Sequence, residues 1–368
     1  LTSQRTKRLF VGATALTWLT VAATPGRAQV TPAAGYTPPD DTPSIRVGAT
    51  IFMDYTFTQK PEITDAAGNT VNANAFNVVR SYINITGNIS HLLAFRITPD
   101  ITRETGAGSS LNGSLTFRVK YAFAQVNLDD WMPRGSWARF GIQQTPFVDY
   151  FEGIYRYRFQ GTIFSEREGY LSSSDGGLSF HTNFPQNYGD LHVGVYNGET
   201  YGRAEANNTK ALQMRGTVRP LPMAAIMRGL RVTLFYDLDR VVNDAPRNRF
   251  IANVTFEHKY LNGGFDYLNT KDQTLPTTAE VDGHGVSVWL TPKATNGVEG
   301  LVRYDDMTVN KSTDARRKRA IVGLAYWLPH QGNVSTAFLL DYEQVTFSDF
   351  VPAQPKQQRI AVHGLVNF

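Results

Sequence analysis

The sequence predicts an all-β protein: a transmembrane, antiparallel up-and-down β-barrel of sixteen strands, with its third long loop folded inward. Three observations predict it. Apolar and polar residues alternate with period two in sixteen separate segments. The connections between those segments run long, short, long, short, as expected of loops on one rim and turns on the other. Arg and Lys sit in mid-strand opposite the apolar row, where lumenal water solvates them and packed protein would need a partner for each.

The chain opens with an address. Arg5, Lys7 and Arg8 precede the apolar run LFVGATALTWLTVAA, and small residues lead up to Gln29. Residues 1–28 are expected to be a secretory signal peptide, and the initial Leu fits an alternative start codon translated literally. Of 36 basic residues, four lie in this leader, which has no acid; the remainder carries 32 basic and 32 acidic residues. The basic pI is therefore partly the leader's, and no nucleic-acid partner is implied. Charged residues are 18% and aromatics 12%, which excludes a disordered chain. There is no Cys, so disulfides, thiol nucleophiles and thiolate metal sites are excluded. Residues 29–44, rich in Pro, read as a periplasmic lead-in. The barrel is expected over 45–368. No later stretch approaches the ~18 consecutive apolar residues of a membrane helix.

In the first strand, 45–58, Ile45, Val47, Ala49, Ile51, Met53, Tyr55 and Phe57 alternate with Arg46, Gly48, Thr50, Phe52, Asp54, Thr56 and Thr58. A long loop, 60–76, leads to strand 77–89; the Ser90–His91 turn returns the chain through 92–99. Loop 100–113 precedes strand 114–128, where Leu115, Phe117, Val119 and Tyr121 oppose Thr116, Arg118 and Lys120. The Asp129–Gly135 turn leads to strand 136–144 and then to the longest loop, 145–175. Strands 176–183 and 190–197 flank the Pro185–Gly189 turn. After loop 198–209 comes 210–219, where Leu212, Met214 and Val218 oppose Gln213, Arg215, Thr217 and Arg219. The Pro220–Gly229 turn, strand 230–239, loop 240–248 and strand 249–259 follow. The rest repeats the device: 264–270, 284–291, 298–306, 319–327, 334–344 and 358–368. Their turns centre on Leu261–Gly263, Pro292–Gly297 and Leu328–Gly332, and their loops on 271–283, 307–318 and 345–357. No convincing amphipathic helix intervenes, which argues against a parallel βαβ sheet.

The alternation fits either a sandwich that buries its apolar face or a pore that turns it to lipid. The export signal, the strand count and the mid-strand charges favour the pore. Aromatics near strand ends, among them Tyr55, Trp131, Trp137, Tyr196 and Trp327, resemble interfacial girdles, though β-propensity gives a similar enrichment. The final strand, RIAVHGLVNF, alternates to its last residue. It is expected to pair with the first strand and remove both edges. Its terminal Phe368 resembles the signal by which barrel-assembly machinery recognises outer-membrane clients.

Loop 145–175 is too long to be idle. It holds eight aromatics from Phe147 to Tyr170, with Arg156, Arg158 and Arg167 and the acids Asp149, Glu152, Glu166 and Glu168. So many aromatics on a solvent loop would be costly, so they are expected to pack on the inner wall. One expectation is a constriction in which Arg156 and Arg158 project into the lumen, facing Arg80, Arg118, Lys120 and Arg139 on the wall. The other is that the loop arginines pair with Glu152, Glu166 and Glu168 and hold the loop in shape.

VRSYINITGNI (79–89), RFGIQQTPF (139–147), GVYNGE (194–199) and ALQMRGTVRPLP (211–222) resemble, in that order, stretches of the phosphate-selective porin O/P family. The resemblance implies a sixteen-stranded, usually trimeric, outer-membrane channel of a Gram-negative bacterium with an arginine-lined anion path. It implies small hydrophilic or anionic solutes, outer-membrane lipid and a homotrimer as partners, and no cofactor. The residues expected at the pore are Arg80, Arg118, Lys120, Arg139, Arg156, Arg158, Arg167 and Arg215. Val148 departs from the Gly common after the Thr-Pro-Phe step, and the loop is not net basic. A general-diffusion porin without anion preference, and a barrel enzyme or adhesin using its long loops, stay open as alternatives. The seven scattered His lack metal-ligand spacing. SSSDGG has no nucleophile elbow, and no Gly-rich phosphate loop is present.

Overall fold

The computed structural model describes residues 40–330 and 334–368; the expected leader, 1–28, and residues 29–39 of the expected lead-in lie outside the described residues. Sixteen strands form one closed antiparallel barrel. They are β1 Ser44–Lys60, β2 Asn74–Asn88, β3 Leu93–Arg103, β4 Leu115–Asn127, β5 Trp137–Gln144, β6 Ser174–Asn183, β7 Gly189–Tyr196 and β8 Ala211–Val218. The second half comprises β9 Leu230–Leu238, β10 Ala245–Glu257, β11 Leu261–Asp272, β12 Val281–Pro292, β13 Val298–Asn310, β14 Ala315–Leu328, β15 Ser335–Ser348 and β16 Gln357–Asn367. Each strand pairs with its neighbours in sequence, and β16 pairs back onto β1 from Thr50↔Asn367 to Lys60↔Gln358. Phe368 completes the seam, exchanging backbone hydrogen bonds with Ala49 at 3.0 Å. Closure leaves no unpaired edge among the sixteen described barrel strands.

The two faces separate as the alternation predicts. Val254, Phe265, Val288, Leu290, Val302, Leu324, Leu340 and Val362 are exposed. Thr255, Asp266, Ser287, Arg303, Asp305, Asp341, Glu343 and His363 are buried. An apolar exterior around a charged interior is the reverse of a soluble sandwich.

Register shifts fall at strand ends, between Thr58 and Lys60 of β1 and between Thr308 and Asn310 of β13, and two more lie within the wall that carries the basic residues. Between β1 and β2 the register steps from Phe52↔Arg80 to Met53↔Val78, leaving Val79 unpaired. Between β3 and β4 it steps from Thr98↔Tyr121 to Pro99↔Val119, leaving Lys120 unpaired. Pro99 has no N–H to give to the ladder, so a bulge there loses little. The second bulge corrects one expectation: Tyr121 does not continue the exposed row of Leu115, Phe117 and Val119. It turns inward, is 2% exposed, and its hydroxyl donates to Asp149 Oδ2 at 2.6 Å.

The loop rhythm also needs correction. Strands β13 and β14 are longer than the alternation suggested, so their connection is only residues 311–314. The extra turn of ladder carries Arg316, whose guanidinium donates to both carboxylate oxygens of Asp306; polar pairs extend a strand where apolar periodicity stops.

Candidate functional site

The connection from β5 to β6 is the longest in the barrel, and it is not irregular throughout. Helix α1 spans Val148–Tyr155 and α2 spans Phe164–Arg167. Val148, Phe151, Ile154 and Tyr155 form a buried stripe at helical spacing. That stripe was present in the sequence, hidden among strands. α1 ends at Arg156 in the left-handed region, φ 65°. A non-Gly residue holds that conformation at a cost. Here Arg156 lies 4.3 Å from the Trp327 ring centroid, and its guanidinium is 3.4 Å from Glu299.

Most of the loop's contacts run to the inward row of β8 to β15, and others reach the basic side, where Asp149 accepts from Tyr121 of β4 and Arg158 lies 5.9 Å from the Phe52 ring centroid of β1. Phe147 meets Phe235, Tyr155 meets Trp289 edge-on at 5.2 Å, and Tyr157 and Phe159 both meet Trp327 at 5.8 Å. The wall makes room by omitting side chains. A Cβ on Gly264 would lie 2.6 Å from the Trp289 indole nitrogen, and one on Gly285 would lie 2.8 Å from Phe164. Polar contacts flank the aromatic ones. Arg215 Nε donates to the Pro146 carbonyl at 2.6 Å and Arg303 to the Thr162 carbonyl at 2.9 Å. Gln160 donates to Asp341 at 2.8 Å and Glu343 at 3.1 Å. Arg317 and Arg319 both donate to Glu168, at 2.6 and 2.7 Å.

The expected pore residues divide into two groups. Arg156, Arg158, Arg167 and Arg215 each have a carboxylate partner. Arg158 pairs with Glu152 at 2.6 Å and Arg167 with Glu343 at 2.6 Å; Arg156 pairs with Glu299, and Arg215 with Asp190. Glu152 is the one partner that the sequence suggested for a loop arginine; Glu299 and Glu343 come from the wall. Arg80, Arg118, Lys120 and Arg139 lie on β2, β4 and β5, outside the run β8 to β15 that takes most of the loop's contacts. Arg80 and Arg118 share Asp100, at 3.0 and 3.1 Å. Tyr201, from the β7–β8 loop, places its hydroxyl 3.0 Å from both guanidiniums and from the same Asp100 oxygen. Lys120 is buried beside Tyr82, with its amine 3.5 Å from the phenol oxygen. Arg139 donates to Gln125 at 2.7 Å and Gln144 at 3.0 Å and stacks 3.7 Å over Trp137. Asp100 and Tyr201 were not singled out from sequence. Asp100 follows the strand segment read at 92–99, and nothing local marks Tyr201 as a partner of Arg80 and Arg118.

The inner face of β1 to β5 thus carries Arg80, Arg96, Arg118, Lys120 and Arg139, with Asp54 and Asp100 as its acids. Across the barrel, the wall under the loop is rich in ion pairs, among them Arg231–Glu257, Arg249–Asp272 and Arg303–Asp305, and it also buries Asp237 and Asp266.

A closed sixteen-stranded barrel with an apolar outside and a charged inside defines the class of large outer-membrane-type barrels. No protein-family model matches the chain, and no curated protein is similar to it in sequence. Solved structures are similar in fold. The anion-selective porin from Comamonas acidovorans superposes with a TM-score of 0.60 at 12% identity, over 89% of this chain and 100% of that one. OmpF of Salmonella typhi, in complex with daunomycin, gives 0.62 at 13%, over 89% and 98%. The outer-membrane channel DcaP of Acinetobacter baumannii gives 0.57 at 11%, over 91% and 100%.

Proposed function

We propose that this chain is an outer-membrane porin of a Gram-negative bacterium, a homotrimer of the phosphate-selective porin O/P type. It passes small hydrophilic solutes passively, with a preference for anions such as phosphate. The observation that carries this reading is the asymmetry of the lumen. The third loop packs mainly on an ion-paired wall, and on this reading narrows that side, while β1 to β5 present bases in excess. A solute passing between them would meet the Arg80–Arg118 pair and Arg139, weak sites that lower the cost of dehydrating an anion, while the buried Lys120 adds its charge from within the wall. Water in the lumen and fixed charges on its wall are all this activity requires, so no catalytic step is assigned. The solved barrels of similar fold, one titled an anion-selective porin and one an outer-membrane channel, support the same reading.

A specific observation favours a second, weaker-selectivity reading: most inward arginines are already paired with carboxylates, which blunts their field. Single-channel recording in a planar bilayer separates the two. Reversal potentials in KCl gradients that report chloride over potassium support the anion path. Equal permeability supports general diffusion, and an assembled barrel with no current contradicts both.

A further inference from the structure

At the long-loop end of β6 to β10, one stretch of the inner wall carries acids that the fold leaves without bases. Asp237 of β9 is aligned with Gln213 of β8 on one side and with Arg249 of β10 on the other. Residues aligned across a ladder project from the same face, and strands lie about 4.8 Å apart, so an Asp237–Arg249 pair is within reach. That pair is not made. Arg249 gives Nε to the Tyr170 carbonyl at 3.2 Å, Nη1 to the carbonyls of Asn248 and Lys271, and Nη2 to Asp272 at 2.6 Å. No other base pairs with Asp237 among the described residues.

Asp237 and Gln213 meet end to end, with the Gln213 amide nitrogen 3.4 Å from Asp237 Oδ2. Each residue is 7% exposed. Asp237 Oδ1 and Gln213 Oε1 are buried and have no hydrogen-bond partner among the described residues. Turning the amide over would set its oxygen against the carboxylate and gain nothing. Two neighbouring acceptor oxygens, one of them charged, are costly to bury without a donor or a cation. Asp175 and Asp239 add like charge around Asp237. They flank Gly198 of the β7–β8 loop, which lies in the left-handed region at φ 97°. Its N–H donates to Asp175 Oδ2 at 2.7 Å, and a Cβ on it would lie 2.8 Å from Asp239 Oδ1. Arg247 serves Asp239 at 2.5 Å and Glu199 at 4.0 Å. Asp175 is held by backbone N–H groups, those of Gly176 and Gly198 among them. Asp175 and Asp237 thus leave two negative charges without a base. A hard divalent cation matches that charge and those oxygens. No three acids or histidines converge on one point among the described residues, so such an ion would keep part of its water shell, as Mg²⁺ does when one or two carboxylates hold it.

We propose that Asp237 Oδ1 and Gln213 Oε1 hold a partly hydrated divalent cation, Mg²⁺ or Ca²⁺, with Asp175 and Asp239 supplying the surrounding charge. The site lies where the third loop rejoins β6, off the basic strands β2 to β5, and takes a ligand of the opposite sign. It goes beyond the porin reading, because its occupant is a bound ion that stabilises the wall and not a solute in transit.

Two measurements test it on the full chain in detergent, after treatment with a chelator. The first uses Tb³⁺ as the probe, its luminescence excited through tyrosine. Tb³⁺ that Mg²⁺ or Ca²⁺ displaces from the wild type, and that binds about tenfold or more weakly to Asp237→Asn, supports the site. No displaceable Tb³⁺ overturns it. Equal binding by both proteins also overturns it, and reports adventitious surface carboxylates only. If Asp237→Asn does not assemble, Gln213→Met serves, and undiminished binding there overturns the site. Gln213→Glu adds charge at the same place and should bind more tightly than the wild type; looser binding counts against it. The second measurement is the temperature at which the folded band is lost on heated gels. Mg²⁺ or Ca²⁺ should raise it in the wild type and leave Asp237→Asn unmoved, since a ligand stabilises only the state that binds it. An equal rise in both overturns the site. Neither measurement needs conduction. A channel that conducts without binding loses the site and keeps the porin reading, and a barrel that binds without conducting does the reverse.

Discussion

Asp100→Asn is the most informative single change on the basic wall. Asp100 is fully buried, and its Oδ2 neutralises Arg80 and Arg118 while accepting from Tyr201. Asn keeps the shape and removes one negative charge. Arg80 and Arg118 have 20% and 39% of their side-chain surface exposed, so water takes over their solvation and the barrel stays assembled. For an ion passing about 8 Å away, one unit charge in a water-like dielectric is worth about 0.5 kcal/mol. Screening at 0.1 M salt roughly halves that. The anion gains and the cation loses the same amount, so the chloride-to-potassium permeability ratio should rise about two- to sixfold. The assay is the reversal potential across a KCl gradient, repeated near 1 M, where the effect should shrink as the Debye length falls to about 3 Å. An unchanged ratio, or a shift toward potassium, would mean that the solute path does not run along this wall.

Other perturbations probe the loop and the turn end. Arg158→Ala removes the partner of Glu152 and should shift selectivity toward cations, whereas Arg158→Ala/Glu152→Gln should return it close to wild type; a double variant that stays cation-shifted would make Arg158 itself an anion contact. Trp289→Ala withdraws the wall surface under Phe151 and Tyr155 and should cost about 3–5 kcal/mol, read as a lower temperature for loss of the folded band on heated gels with noisier open-channel current. An unshifted temperature would show that the aromatic seat is dispensable. At the turn end, His91 bridges Asp41 at 2.5 Å and Asp130 at 3.1 Å. The hydrogen bond to Asp41 raises the imidazole above its ordinary 6.5, and the same bond lowers Asp41 below 3.8. The bridge is therefore complete below pH 6.5 and lost as pH rises through the raised His91 value; on the acid side it is lost as pH falls through the lowered Asp41 value. An NMR titration should show a raised His91 midpoint that falls in Asp41→Asn, and a midpoint at or below 6.5 in the wild type would remove the bridge.

Most of the barrel was legible because period two survives wherever one face meets apolar surroundings and the other meets charge. Sixteen segments and the β16–β1 seam follow from that alone. What was hidden depends on events that periodicity does not record. The bulges at Val79 and Lys120 shift which residues share a face, and only the partner strand, with Pro99 in it, shows why Tyr121 turns inward. Helix α1 is two turns long, too short to stand out from a chain of strands, although Val148, Phe151 and Ile154 already had its spacing. The candidate site was legible in kind and not in pairing. Arg80, Arg118, Lys120 and Arg139 could be placed on inward faces by parity. That Arg167 would meet Glu343, 176 residues away, or that Tyr201 would reach Arg80, 121 residues away, depends on closure of the ring. The same limit hid Asp175, which looks ordinary until the fold brings it to Gly198 beside Asp239.

The central claim is that the open path runs between the third loop and the β2–β5 wall, and not behind the loop. The absence of native cysteine permits a direct test. Single cysteines are placed by Arg118→Cys on the basic wall and Thr291→Cys on β12, where Thr291 is 1% exposed, and each is exposed to an anionic thiosulfonate during bilayer recording. The account predicts a stepwise fall in current for the first and no change for the second. Block at position 291 with none at 118 would contradict it.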